Sequence, residues 1–199
     1  MKLSSLLFGI YFACITTMSY ASSSKLAIDP GNLYPHVKLE TSMGVIVVEL
    51  DRIKAPITVD NFLTYVVSGS YNNTIFHRII DNFIVQGGGY DKNYIPKADN
   101  GPIVNESGNG LKNLEGTIAM AKENHPHTAR RQFFFNLADN KSLDPGQHWG
   151  YAVFGSVIEG DDVLQAMGKV KTEYNKETDW NDVPIKPIML IKATLLPQQ

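Results

Sequence analysis

The run Ile75-Phe76-His77-Arg78-Ile79-Ile80-Asp81-Asn82-Phe83-Ile84-Val85-Gln86-Gly87-Gly88 constrains the fold more than any other part of this chain. β-branched and aromatic residues crowd its two halves and Asp81-Asn82 interrupts them, so it reads as strand, turn, strand. Short runs of the same kind recur at Thr117 to Ala121, Gln132 to Leu137, Ala152 to Phe154 and Ile188 to Thr194. Val37 to Thr41 and Val45 to Leu50, joined at Ser42-Met43-Gly44, read as a hairpin. Only two segments show helical spacing. Val59, Phe62, Leu63 and Val66 follow Thr58 as a cap and stop at Gly69, and Val163, Leu164 and Met167 follow Asp161 as a cap and stop at Gly168. Gly87 to Glu115 has little periodicity and reads as a long functional loop. Many short strands separated by turn residues imply a sandwich or a barrel.

Strand parity then sorts the side chains, because residues two apart share a face. Phe76 and Arg78 are expected on one face with His77 on the other; Ile84 and Gln86 oppose Val85, and Gln132 and Phe134 oppose Phe133 and Phe135. One consistent assignment puts Arg78, Ile84, Gln86, Gln132 and Phe134 on an outer, ligand-facing side and Val85, Phe133 and Phe135 in the core. The outer set holds one permanent cation, amides and apolar side chains, without an obvious nucleophile or general base. That is a poor design for hydrolysis and suits a reaction in which a bond only has to rotate.

At 199 residues the chain is long enough for one domain with a substantial core. Hydrophobic residues make up 43% and charged residues 19%, as in soluble globular proteins, and a net charge of −2 gives no field that would draw nucleic acid or anionic lipid. Lys2, the largely apolar stretch Leu6 to Met18, and Ser19-Tyr20-Ala21 read as a secretory signal cleaved after Ala21. The apolar stretch is short for an anchor helix, and Tyr11-Phe12-Ala13 is a poor lipobox for Cys14. The expected organisation is a signal over 1–21, a Ser-, Gly- and Pro-containing linker over 22–35 and one domain over 36–198. The expected destination is the periplasm or the exterior, with no membrane association after cleavage. Cys14 is the only cysteine, so the cleaved chain would carry no thiol for a disulfide, a nucleophile or a metal.

The run from Ile75 to Gly88, together with Gln132-Phe133-Phe134-Phe135-Asn136, Gly116-Thr117-Ile118-Ala119-Met120-Ala121 and Gly150-Tyr151-Ala152-Val153-Phe154-Gly155, resembles the cyclophilins, from about Val37 to about Leu196. Within them it is most similar to the bacterial periplasmic isomerase A group. The resemblance implies a mainly β fold, a closed eight-stranded antiparallel β-barrel capped by two α-helices. It implies peptidyl-prolyl cis-trans isomerisation without a cofactor, by a monomer acting on proline-containing peptides and unfolded exported proteins. By the same resemblance Arg78 is the catalytic cation, Gln86 orients it and the substrate carbonyl, and Phe83, Ile84, Phe134 and Leu143 enclose the proline. Ala121, Lys122 and Gln132 match positions that touch the substrate backbone, and Tyr151 falls where many cyclophilins have His.

Some residues depart from the family pattern. Ser142 stands where cyclosporin-sensitive members carry Trp, so weak cyclosporin A binding is expected. Ile84 replaces a more usual Met, a nearly volume-conserving change. Arg130-Arg131 either adds charge beside the groove, favouring acidic substrates, or is a solvated turn. His125, His127 and His148 lack a carboxylate pattern beside them and read as loop residues, and His77 reads as a packed histidine. The competing functional reading is a barrel that grips proline-containing segments without turnover.

Overall fold

Alternation in the first hairpin sets the wall of a barrel. The computed structural model describes residues 28–146 and 148–198, so the expected signal and residues 22–27 of the linker lie outside the described residues. β1 (His36–Thr41) buries Val37, Leu39 and Thr41 and turns the residues between them outward. β2 (Gly44–Leu50) pairs with it from His36 opposite Glu49 to Thr41 opposite Gly44. Residues 28–35, read as linker, are tied to the domain: the buried Arg52 donates from Nη1 to the carbonyls of Asp29 (2.6 Å) and Asn32 (3.0 Å).

α1 (Pro56–Val67) buries Val59, Phe62, Leu63 and Val66, and Gly69, at φ +70°, follows its end. Its start differs from the expected cap at Thr58. Pro56 opens the helix after Ala55, and no local side chain caps it. The carboxylate of Glu106 does so from a distant loop, accepting from the N–H of Ile57 (3.1 Å), the N–H of Thr58 (2.7 Å) and the Thr58 hydroxyl (2.6 Å). A carboxylate satisfies free N–H groups there and suits the positive end of the helix dipole.

β3 (Thr74–Ile80) and β4 (Ile84–Asp91) form the strand-turn-strand unit, with Asn82 at φ +57° in the turn. β4 runs on through Gly87-Gly88-Gly89, which the sequence suggested as the start of a loop. A Cβ on Gly87 would sit 2.6 Å from the Phe76 ring, and one on Gly88 would sit 2.8 Å from Phe133 and 2.9 Å from Tyr71. The glycines therefore continue the strand where neighbouring rings leave no room for a side chain.

β5 (Thr117–Met120), β6 (Phe133–Asn136) and β7 (Val153–Glu159) follow. Gly160, at φ +86°, precedes α2 (Asp161–Gly168), so Asp161 lies in the first turn with Asp162 and is not the cap. A Cβ at Gly160 would lie 2.2 Å from the Val45 carbonyl oxygen, which excludes the usual capping residues. β8 (Thr172–Asn175) and β9 (Trp180–Pro184) make a separate hairpin that the polar sequence did not announce, and β10 (Ile188–Leu195) closes the wall. The barrel order is β1-β10-β3-β4-β6-β5-β7-β2, with every neighbouring pair antiparallel.

Aromatic rings fill the interior. Phe62 and Tyr71 each meet Phe133 edge-on, at centroid distances of 5.4 and 5.3 Å, and Phe133 meets Phe135 edge-on at 5.8 Å. Leu164 and Met167 of α2 belong to the same core.

One parity expectation fails. Phe76 and Arg78 were expected on one face, yet Phe76 lies in the core beside Phe133 and Phe135 while the Arg78 side chain is 41% exposed. Phe76 pairs with Gly87 and Arg78 with Gln86, so two steps along β3 match one along β4. The β-bulge at His77 inverts the alternation at this point.

Candidate active site

β6 is regular where β3 is not. Val85 lies opposite Phe135 and Gln86 opposite Phe134, so both strands keep strict parity. Val85, Phe133 and Phe135 enter the core, as expected. Ile84 and Phe134 turn outward and meet Ala119 of β5 and Val153 of β7 in a second apolar cluster. Phe83, Leu111, Ala121, Leu143 and Tyr151 stand half-buried around it. Its floor is nearly closed to solvent, Phe134 being 2% and Ile84 4% exposed. The result is a small apolar cluster on the outer wall. Tyr151 meets Phe134 edge-on at 5.5 Å, and Lys122 Nζ lies 4.8 Å from the Tyr151 ring centroid.

Buried amides fix the half-buried rim of this cluster, a feature not legible in the sequence. Asn140 Nδ2 donates to the Phe83 carbonyl and to Asn136 Oδ1, both at 2.8 Å. Asn136 Nδ2 donates to Thr117 Oγ1 (2.9 Å) and Asn113 Oδ1 (3.2 Å), and the Asn113 N–H donates to Asp144 Oδ1 (2.8 Å). Asn113, Asn136 and Asn140 are all buried, and satisfied buried polar networks hold their members rigidly. The network sets Phe83 and the 3-10 turn Lys141–Leu143, whose Leu143 carbonyl accepts from the Tyr151 N–H at 2.9 Å. The one sequence signal was an Asn ending the apolar run Phe133 to Asn136.

Arg78 lies on the strand next to β4, which carries Ile84 of this cluster. It pairs with Gln86, and Gln86 pairs with Phe134, so guanidinium, amide and ring follow one another across β3, β4 and β6. Gln86 Nε2 donates to Gln132 Oε1 at 2.9 Å, and the Gln132 carbonyl accepts from the Ala121 N–H at 2.9 Å. Among the described residues no hydrogen bond joins Gln86 to Arg78; the ion-pair partner of Arg78 is Asp182 of β9, with 3.7 Å between Nε and Oδ2. A groove of about 340 Å³ continues from Gln86, Gln132, Ala121 and Lys122 toward Lys97 and Arg130. The structure thus brings the expected site residues to one stretch of outer wall, and adds Leu111, Ala119, Val153 and Asp182.

The two arginines before Gln132 have separate fates. Arg130 is exposed and donates to Asp99 Oδ1 at 2.9 Å. Arg131 also lines the groove but is only 3% exposed, so it is not part of a solvated turn. It donates to the carbonyls of Gly88 (2.7 Å), Ala98 (2.5 Å) and Ser70 (2.8 Å), and its guanidinium lies 5.0 Å from the Tyr65 ring and 5.4 Å from the Tyr71 ring. Five donors on a planar fork allow one side chain to satisfy several buried carbonyls. His77 is packed, 4.8 Å from Tyr90 and 5.7 Å from Trp180, and burial, with Arg78 beside it, pulls its pKa down to about 4. His127 Nδ1 accepts from the Asn105 N–H at 3.1 Å and its ring meets Trp149 at 5.2 Å.

The closed antiparallel barrel with its two helices is shared by solved cyclophilins. A cyclophilin-type peptidyl-prolyl cis-trans isomerase of Cryptosporidium parvum superposes with a TM-score of 0.68 at 26% identity, covering 83% of this chain and 99% of that one. The same protein solved in the presence of the dipeptide Ala-Pro superposes with a TM-score of 0.67. The chain belongs to the cyclophilin-type peptidyl-prolyl cis-trans isomerase family, whose model, described as "Cyclophilin type peptidyl-prolyl cis-trans isomerase/CLD", matches residues 36–194. It is 49% identical over 162 residues to peptidyl-prolyl cis-trans isomerase A of Dickeya dadantii (strain 3937), covering 81% of this chain and 84% of that protein. It is 44% identical over 163 residues to peptidyl-prolyl cis-trans isomerase B of Escherichia coli (strain K12), covering 80% and 98%. The chain is accordingly an enzyme of the peptidyl-prolyl cis-trans isomerase class.

Proposed function

We propose that this protein speeds rotation about X-Pro bonds in exported proteins as they fold, with Arg78 as the catalytic electrophile. The observation that carries this reading is the outward-facing apolar cluster of Ile84, Ala119, Phe134 and Val153 lying across Gln86 from a permanent cation. A pyrrolidine ring suits such an apolar surface, and its amide nitrogen would then lie toward Arg78. Amide resonance sets a barrier of about 18–20 kcal/mol. In the twisted transition state the nitrogen becomes pyramidal and its lone pair can accept a hydrogen bond that the planar ground state cannot. A guanidinium donor aimed at that lone pair stabilises the transition state selectively, and it remains charged at any working pH. Phe83, Ile84, Phe134 and Leu143 hold the proline; Gln86, Ala121, Lys122, Gln132 and Tyr151 face the flanking peptide. No step breaks a bond or moves a proton, and no cofactor is needed.

The export assignment rests on the N-terminal pattern of Lys2, Leu6 to Met18 and Ser19-Tyr20-Ala21, with the periplasm or the exterior as destination. Ser142 is exposed and carries no indole N–H, which supports weak binding of cyclosporin A. The deciding experiment measures cis-to-trans isomerisation of a short Ala-Pro peptide by the wild type and by Arg78→Ala. Fast turnover lost in the variant supports the reading. A folded wild type without turnover would replace it with that of a proline-binding module.

A further inference from the structure

We propose that Asp182, on the β8–β9 hairpin outside the barrel, is a positioning residue for Arg78. Its carboxylate holds the Nε edge of the guanidinium and leaves the two Nη groups for the substrate nitrogen. This rests on Arg78 being the electrophile.

Gln86 donates from Nε2 to Gln132 Oε1, and among the described residues its Oε1, the atom that could accept from Arg78, makes no hydrogen bond to the guanidinium. Asp182 Oδ2, 3.7 Å from Nε, is the ion-pair partner that Arg78 has among the described residues. That separation exceeds a hydrogen bond, so the hold is Coulombic and salt will screen it. The backbone at Asp182 sits at φ +62° within β9, a conformation that Asp and Asn adopt more readily than other residues with side chains. The hairpin is anchored there: Val183 is buried, and the Trp180 ring lies 4.7 Å from Tyr90 and 5.7 Å from His77, the residue that makes the bulge and turns Arg78 outward. One small aromatic cluster therefore sets both members of the pair.

The test uses two variants that tolerate this backbone. Asp182→Asn keeps a residue suited to positive φ and removes the charge, and Asp182→Gly removes the side chain without a backbone penalty. For the Ala-Pro peptide, kcat/KM is expected to fall about three- to fivefold in both, in line with an exposed ion pair. The loss falls on kcat, peptide Kd and Tm stay constant, and the gap to wild type closes in high salt. In an Arg78→Ala background the Asp182 substitutions are expected to change nothing further. Variants that match wild type at low salt would overturn the proposal, as would a loss carried by Tm or Kd. A wild type without turnover, or an Arg78→Ala variant with full turnover, instead sinks the role of Arg78 itself.

Discussion

Phe133 and Phe135 on one side of β6, and Phe134 on the other, are the same side chain with opposite tasks. The inner pair packs among Phe62, Tyr71 and Phe76 and is fully buried by the protein's own atoms. Phe134 is almost as hidden, at 2% exposed, but its neighbours form a small outer cluster rimmed by half-buried side chains. Burial alone therefore does not separate structural from functional rings. What separates them is which side of a strand they occupy and whether the facing layer is another wall of the barrel or solvent.

The largest expected effect lies on the inner side. Phe133→Ala opens a cavity in a core of aromatic rings and is expected to cost about 3–5 kcal/mol in denaturant unfolding, while the molecules that remain folded keep most of their turnover. Loss of turnover without loss of stability would break the contrast. On the outer side, Arg78→Ala is expected to lower kcat/KM by about 10²–10³, the range for losing one transition-state donor. Its unfolding free energy should stay within about 0.5 kcal/mol of wild type, as for exposed substitutions.

His77 shows that the outer face is not uniform. The β8–β9 hairpin covers it, its Nδ1 has no hydrogen-bond partner among the described residues, and burial first and Arg78 second hold its pKa at about 4, against 6.5 for a free histidine. Between those values the unfolded chain binds the extra proton and the folded chain does not. Stability contributed by neutral His77 is thus complete above pH 6.5 and is lost as pH falls through 4, by about 3 kcal/mol in all. Unfolding curves across this range should show the slope in wild type and a smaller one in His77→Phe; equal slopes would remove His77 as its source. The smallest effect is at the rim. Ser142→Trp supplies one hydrogen-bond donor and is expected to tighten cyclosporin A binding about fivefold, the worth of one net hydrogen bond, without altering turnover. An inhibition titration of both proteins checks it, and tight inhibition of the wild type would contradict the reading of Ser142.

The parity of β4 and β6 was legible in the sequence because the two strands pair without irregularity from Ile84 to Gly87, so Ile84, Gln86 and Phe134 could be separated from Val85, Phe133 and Phe135. The same rule misplaced Phe76 because a bulge leaves no mark in the alternation of Ile75-Phe76-His77-Arg78. Three glycines in succession looked like a break, since sequence alone does not reveal that rings from Phe76, Tyr71 and Phe133 will occupy the missing side-chain space. Glu106, Arg131 and Asp182 act on partners far along the chain, and their local sequence looks like any polar loop or edge. Site residues carried on regular strands were readable; those that brace the site from loops and the outer hairpin were not.

Arg131 has a consequence for how the molecule opens. One guanidinium joins the segment after α1, through Ser70, to the glycine stretch of β4, through Gly88, and to the loop beyond it, through Ala98. None of these segments can swing away alone without stranding a buried cation or a buried carbonyl. They form one cooperative unit, released together or not at all. The groove wall that Arg131 helps to line is therefore tied to these distant segments and opens only together with them.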